Sequence, residues 1–192
     1  MNIQNILSVC AFALFVIIVL IRAAVMRRKG IRALVFGQTS KSDFLLVPMV
    51  LAIAYTVLAN TFALPMWKPL VWPFWASTIP GWLGLALCAA AIVGFALTLI
   101  SFGDSFRVGI DTKTTDKLVT TGMFAVSRNP IYVCFLLFFT GLFLIHRNVV
   151  IAVAVVLFAL TIHRQALREE AFLKGHYGVE YEAYCRKVRR YL

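Results

Sequence analysis

Two adjacent carboxylates, Glu169 and Glu170, stand out in a chain with only 8 acidic residues. They lie just beyond an apolar run, residues 149–162, on what reads as a helix leaving an apolar phase. A carboxylate in such a place can pair with a cation, accept hydrogen bonds or move a proton, each strengthened where the dielectric is low. The plainer reading is a solvated helix end, or an ion pair with Arg128, Arg164 or Arg168. Upstream, Arg128-Asn129-Pro130 opens another apolar run. Asn is a favoured helix N-cap and Pro a favoured first helical residue, so Asn129 has a structural task as well as a chemical one. The remaining reactive types are dispersed. Cys10, Cys88, Cys134 and Cys185 have no paired spacing, and His146, His163 and His176 form no ligand cluster, so no metal is expected.

The elements that must position these groups are membrane helices. The chain has 192 residues, 61% of them hydrophobic, a mean hydropathy of +0.88 and 14% charged residues, against roughly 25% charged in a soluble domain. The apolar residues fall in runs over 3–21, 44–64 and 82–102, with two shorter ones at 131–145 and 149–162. In hydrocarbon each backbone polar group must be paired within its own segment, so these runs are helices, and no alternating strands of a barrel are visible. The expected fold is an all-α integral membrane protein of about five transmembrane helices, with a C-terminal helical hairpin and an amphipathic cytoplasmic C-terminal helix.

The net charge of +11 reports topology and not nucleic acid. Of the 19 basic residues, all but Lys68 and Arg147 follow the first, third or fifth run. Basic residues next to span ends mark the cytoplasmic side, which gives an N-out, C-in arrangement in contact with anionic headgroups. The first run has no positive charge ahead of it and reads as a retained span, not a cleaved signal peptide. The lack of a long soluble extension points to a prokaryotic plasma (inner) membrane. Residues 1–101 read as a three-span anchor, with Asp43 a candidate N-cap for the second helix. Residues 66–80, rich in Trp and Pro, read as an irregular outer loop. Residues 102–192 read as the catalytic half of the same integrated domain. They contain a long polar segment, 102–129, of a length uncommon without function. A polar helix follows over 164–177, with Gly178 as its stop. After it comes an amphipathic helix on the inner membrane surface, setting Tyr181, Tyr184, Cys185 and Val188 against Arg186, Lys187, Arg189 and Arg190.

Taken together, Leu118-Val119-Thr120-Thr121-Gly122, Arg128-Asn129-Pro130-Ile131-Tyr132, Glu169-Glu170, Tyr177-Gly178 and Tyr181 resemble the isoprenylcysteine carboxyl methyltransferase family. That family is grouped with the membrane phospholipid N-methyltransferases. The resemblance covers residues 102–192; the first half matches only as a number of spans. It implies a methyltransferase that uses S-adenosylmethionine without a dinucleotide-binding domain. It also implies that Asp116, Lys117, Leu118 and Val119 line the cofactor site through backbone groups. Gly122 belongs to the same segment, Phe124 packs on the adenosine, and Asn129, Pro130, Ile131, Tyr132 and Glu169 bind the cofactor. Arg128, Tyr132 and Glu170 are the expected catalytic residues. A helix start at Asn129–Tyr132 suits the cofactor's carboxylate, and Glu169 suits its ammonium or sulfonium.

Two positions depart from the family pattern. Asn129 stands where His is common. Gln165, one turn before Glu169, stands where the family has an Arg for the acceptor's carboxylate. With Arg164 and Arg168, Gln165 makes up the expected substrate-binding set. The acceptor is expected to be a lipophilic or lipidated molecule entering from the bilayer: a prenylcysteine-like carboxylate, a lipid amine or a thiol. Membrane lipids are the other expected partners, and nucleic acid is not. The alternatives are an NADPH-dependent membrane reductase of the steroid or enoyl reductase type, and a non-enzymatic membrane scaffold.

Overall fold

Residues 2–28, 46–102 and 118–192 are described in a computed structural model of the chain. The candidate cap Asp43 lies outside these residues. The elements are α1 (Ile3–Arg28), α2 (Leu46–Phe62), α3 (Lys68–Val71), α4 (Ile79–Phe102), a 3-10 turn (Gly122–Ala125), α5 (Pro130–His146), α6 (Val149–Tyr177) and α7 (Val179–Lys187). No strand occurs among the described residues. Helices α1, α4 and α6 have 26, 24 and 29 residues and are long and apolar enough to cross a membrane. The apolar helices α2 and α5 have 17 residues each, about 25 Å at 1.5 Å per residue. The all-helical membrane architecture expected from the runs is therefore present. The outward faces remain apolar, with Leu51, Val93, Ile100 and Val156 all exposed, as a lipid-facing surface requires.

The tightest packing is between α4 and α5, where Gly84 faces Gly141. A Cβ built on either glycine would lie 2.5 Å from the other's carbonyl oxygen. Cys88 Sγ donates to Phe138 O at 3.5 Å one turn further along. Small residues give membrane helices this approach, because lipid offers no hydrophobic drive and dispersion must hold them together. Phe15 of α1 adds to the seam, stacked on Phe138 at 4.4 Å and 5.0 Å from Phe95.

The α5–α6 hairpin turns over two residues. Arg147 takes the left-handed conformation with φ 44°, and Asn148 caps α6 by accepting from Ile151 N at 3.1 Å. The region 66–80, expected to be irregular throughout, holds one helical turn, α3. Pro80 also belongs to α4, because proline fits the first turn of a helix, where no donor is needed. Arg147 ties this region to the hairpin: its guanidinium donates to Ala76 O and Ser77 O, and its carbonyl accepts from Phe74 N at 2.8 Å. At the same end a polar cluster anchors α1. His146 bonds Ser8 Oγ at 2.9 Å and Asn60 Nδ2 at 3.4 Å, and Gln4 Nε2 donates to Thr78 O at 3.0 Å.

Gly178 stops α6 as expected, with φ 52° and its N–H on Lys174 O. Helix α7 ends at Lys187, so Val188–Arg190 are not helical. Its aromatic face is also not turned to a lipid surface. Tyr181 and Tyr184 are 3% and 8% exposed, packed into the protein, where the Tyr184 hydroxyl donates to Phe124 O.

The glycine crossing leads to a direct expectation. Gly141→Ala overpacks the seam and lowers stability by about 1–3 kcal/mol. Gly175→Ala on α6, where an added Cβ meets nothing within 4 Å, leaves stability unchanged or raises it by about 0.4–1 kcal/mol. Thermal unfolding of both variants in detergent checks the pair; an equal response would place the close contact elsewhere.

Candidate active site

The site-forming groups collect at one end of the bundle, where α4 ends, α5 begins and α6 leaves the apolar layer. The approach segment comes first. Leu118 and Val119 are half-buried and lead into the 3-10 turn. Gly122 has φ +62°, and an added Cβ there would collide with the Ser101 side chain, so position 122 needs glycine twice over. Ser101 Oγ accepts from Met123 N at 3.2 Å, fixing the turn to the end of α4. Phe124 is buried edge-on against Phe102, with ring centroids 4.6 Å apart, and its carbonyl accepts from Tyr184 Oη at 2.6 Å. Asp116 and Lys117, expected to line the same wall, lie outside the described residues.

The start of α5 is where the local reading needs correcting. Asn129 occupies the N-cap position, but its side chain makes no capping bond. Its Nδ2 instead donates to Glu170 Oε1 at 3.3 Å and to Arg190 O at 3.2 Å. The first intrahelical bond is Val133 N to Asn129 O at 3.1 Å. With Pro130 lacking an N–H, the Ile131 amide is a first-turn donor that no side-chain cap takes up.

The two carboxylates divide between two environments. Glu169 Oε1 accepts from Tyr132 Oη at 2.7 Å and from Gln165 Nε2 at 2.9 Å. Gln165, 8% exposed, turns its other end to Arg168, whose Nη2 donates to Gln165 Oε1 at 2.8 Å. Glu170 receives Arg190 Nε at 3.0 Å and Nη2 at 2.9 Å, one on each oxygen, and Arg128 Nη2 lies 3.5 Å from its Oε1. Burial pushes the Tyr181 hydroxyl above its ordinary range, and the negative charge of Glu170 pushes it further. An open groove of about 520 Å3 between α6 and α7 is bordered by Arg128, Glu170, Tyr181 and Arg190.

The structure thus brings together Arg128, Asn129, Tyr132, Gln165, Arg168, Glu169 and Glu170. Pro130 and Ile131 are buried in the same first turn of α5, and Arg164 is exposed on α6. Sequence reasoning missed Arg190, Tyr184 and Ser127. Arg190 was one cation in a basic run, and nothing in the run distinguishes the one that folds back. Among the described residues no group of His, Cys, Asp or Glu is placed to hold a metal ion.

Chemically, the Glu169 side is a hydrogen-bonded carboxylate beside a helix start, a pair suited to a ligand with both positive and negative groups. A family model described as phospholipid methyltransferase matches residues 76–180. The match begins ahead of α4, earlier than residue 102, and ends before most of α7. No curated protein and no solved structure matches the chain.

The docking of α7 carries its own pH signature. Burial raises the Tyr184 hydroxyl from 10.0 to about 12, with the Arg128 charge opposing and Cys185 adding. A phenol whose folded pKa lies above its unfolded one stabilises fully below pH 10, and that contribution disappears as pH rises towards about 12. Tyr184→Phe loses the bond to Phe124 O, about 1 kcal/mol, and shows a shallower alkaline decline in thermal melts than the wild type. An unchanged alkaline profile would mean the tyrosine is not what titrates.

Proposed function

The chain belongs to the phospholipid methyltransferase family, and from that premise we propose that it moves the methyl group of S-adenosylmethionine to the amine of a membrane lipid. The membrane methyltransferase assignment rests on the family and on the long apolar helices. Cofactor and acceptor are read from the residues. The observation that carries the reading is the Tyr132–Glu169–Gln165 chain of hydrogen bonds beside the uncapped start of α5.

The residues fit S-adenosylmethionine. The Ile131 amide and the positive end of α5 suit its carboxylate, and Glu169 suits its ammonium or sulfonium. Leu118, Val119 and Phe124 supply an apolar wall for the adenosine. The cofactor supplies an electrophilic methyl carbon: the acceptor's lone pair forms the new bond as the carbon–sulfur bond breaks. The chain's part is to orient both reactants and exclude water, which supplies much of the rate in a displacement of this kind.

Gln165 favours an amine over a carboxylate acceptor. Both ends of its amide are occupied, by Glu169 and Arg168, and a neutral amide lacks the charged fork that grips a carboxylate. An aminolipid headgroup arrives protonated and must lose a proton before or during transfer. Tyr132 Oη donates to Glu169, so it can take up that proton as it hands its own to the Glu169 carboxylate, the final acceptor. Glu170 is less suited, since guanidinium groups engage both of its oxygens. The family match supports methyl transfer over the reductase and scaffold readings. The site end is read as cytoplasmic: among the described residues, Arg27, Arg28, Arg128, Lys174 and the run after Cys185 lie there, while Lys68 and Arg147 lie at the opposite end.

Two measurements test this reading. Glu169→Gln weakens S-adenosylmethionine binding by about 1.5–3 kcal/mol, roughly tenfold to a hundredfold, in calorimetric titration; an unchanged affinity removes Glu169 from the cofactor site. With methyl-labelled cofactor, vesicles containing phosphatidylethanolamine take up label, and a farnesylated cysteine analogue does so poorly until Gln165→Arg is introduced. Efficient labelling of the farnesylated analogue by the wild type would restore the carboxylate reading. Stabilisation by NADPH in place of S-adenosylmethionine would restore the reductase.

A further inference from the structure

We infer that the C-terminal tail is a strap that positions the start of α5, with Arg190 anchored on Glu170 as a positioning residue for the cofactor face. The inference rests on the proposed cofactor site and deepens it by giving the second glutamate a task other than proton transfer. After α7 the chain turns extended at Val188, with φ −123° and ψ 133°. It then runs back across the residues that open α5. Arg128 N donates to Arg189 O at 2.9 Å. Arg190 O accepts from Ser127 Oγ and from Asn129 Nδ2, both at 3.2 Å. In the same place the Arg190 guanidinium closes a two-point bond on Glu170, with Arg128 and Asn129 on the inner oxygen.

The geometry is that of a clasp. The 127–129 segment is held between α6, through Glu170, and the tail, through two backbone carbonyls. Asn129 is the shared element, because its Nδ2 donates both to Glu170 and to the strap. Ser127 Oγ accepts from Asn129 N at 3.1 Å, so the same serine that bonds the tail also orients the residue preceding α5. The Glu170 and Arg128 side chains are 12% and 13% exposed, and Arg190 is 35% exposed. The clasp is therefore shielded from water on its α6 side and open on its tail side. A planar fork on a carboxylate fixes direction as well as distance, which a lysine ammonium does not. Release of the fork frees Ile131 and Tyr132 to shift, while the Gly84–Gly141 seam continues to hold the rest of α5.

The test reads position and binding separately. Hydrogen exchange at the Arg128 amide, whose partner is the Arg189 carbonyl, reports the strap directly. S-adenosylmethionine titration reports its consequence. In detergent, Arg190→Ala raises exchange at Arg128 and weakens cofactor affinity about tenfold, the size of one charge-assisted contact, while the acceptor KM stays near that of the wild type. Arg190→Lys falls between the two, since it keeps the charge and loses the fork. Lys187→Ala removes the same charge from exposed α7 surface and behaves as wild type. If Arg190→Ala leaves exchange at Arg128 unchanged, the strap is not anchored there. If exchange rises and affinity does not fall, the strap positions nothing, and either result overturns the inference. A wild-type protein that binds no S-adenosylmethionine defeats the functional reading and the positioning role with it, and exchange at Arg128 still shows whether Arg190 anchors the tail.

Discussion

At the Gly84–Gly141 crossing two helix backbones meet with no side chain between them, and the rest of the site is set out from that contact. It fixes how α5 lies against α4, and so where α5 begins relative to where α4 ends. The 3-10 turn is bonded to Ser101 at the end of α4, and Tyr132 stands in the first turn of α5. The two walls of the proposed cofactor face are therefore spaced by a rigid seam, while the described part of the connecting loop only closes one side. Helix α6 joins through a two-residue turn, which leaves it little freedom to slide. In a membrane interior, where dispersion and not water drives packing, so close an approach is the available way to hold such geometry.

The neighbouring glutamates show how one helix serves two purposes. Successive residues of an α-helix point about 100° apart, so Glu169 turns to Tyr132 on α5 and Glu170 turns to the tail and Arg128. Each carboxylate has its own hydrogen-bonding partners, and both sets include residues at the start of α5, Tyr132 for Glu169 and Asn129 for Glu170. A pair that looks redundant in sequence is divided in space. Two of the arginines at this end are engaged within the protein: Arg190 bonds Glu170, and Arg168 bonds Gln165.

The helices were legible because hydrocarbon allows few alternatives. The apolar runs marked every long helix, and Gly178 marked its stop. The starts of α4 and α5 differed from expectation in instructive ways. Pro80 looked like a loop residue because proline is read as a breaker, yet in the first turn nothing is broken. Asn129 looked like a cap because its type and position are right, yet its side chain turns to Glu170 and to the tail, both far off in sequence. Among the described residues, Arg128, Asn129 and Tyr132 at the start of α5 lie against Glu169, Glu170 and their neighbours, while Arg164 is exposed and Asp116 and Lys117 lie outside those residues. Arg190 was illegible for a physical reason: a run of cations carries no periodic signal to mark which one faces a carboxylate contributed by another element. The tyrosine face of α7 was read correctly as one-sided and assigned to the wrong phase, since amphipathicity says that a face is buried and not against what.

The polar cluster at the far end bears on the order in which the chain is assembled. Helix α1 enters first carrying Asn5, Gln4 and Ser8, whose side-chain partners lie 55, 74 and 138 residues further along. Ser8 is fully buried once folded. Until α5 has been synthesised, its bond to His146 does not exist, and the hydroxyl relies on the Asn5 carbonyl alone. The anchoring of α1 is thus completed in stages, at Asn60, at Thr78 and finally at His146. Between the arrival of α2 and that of α5 the helix is held by only part of its polar set, and His146 completes that set at the end of the bundle away from Glu169 and Glu170.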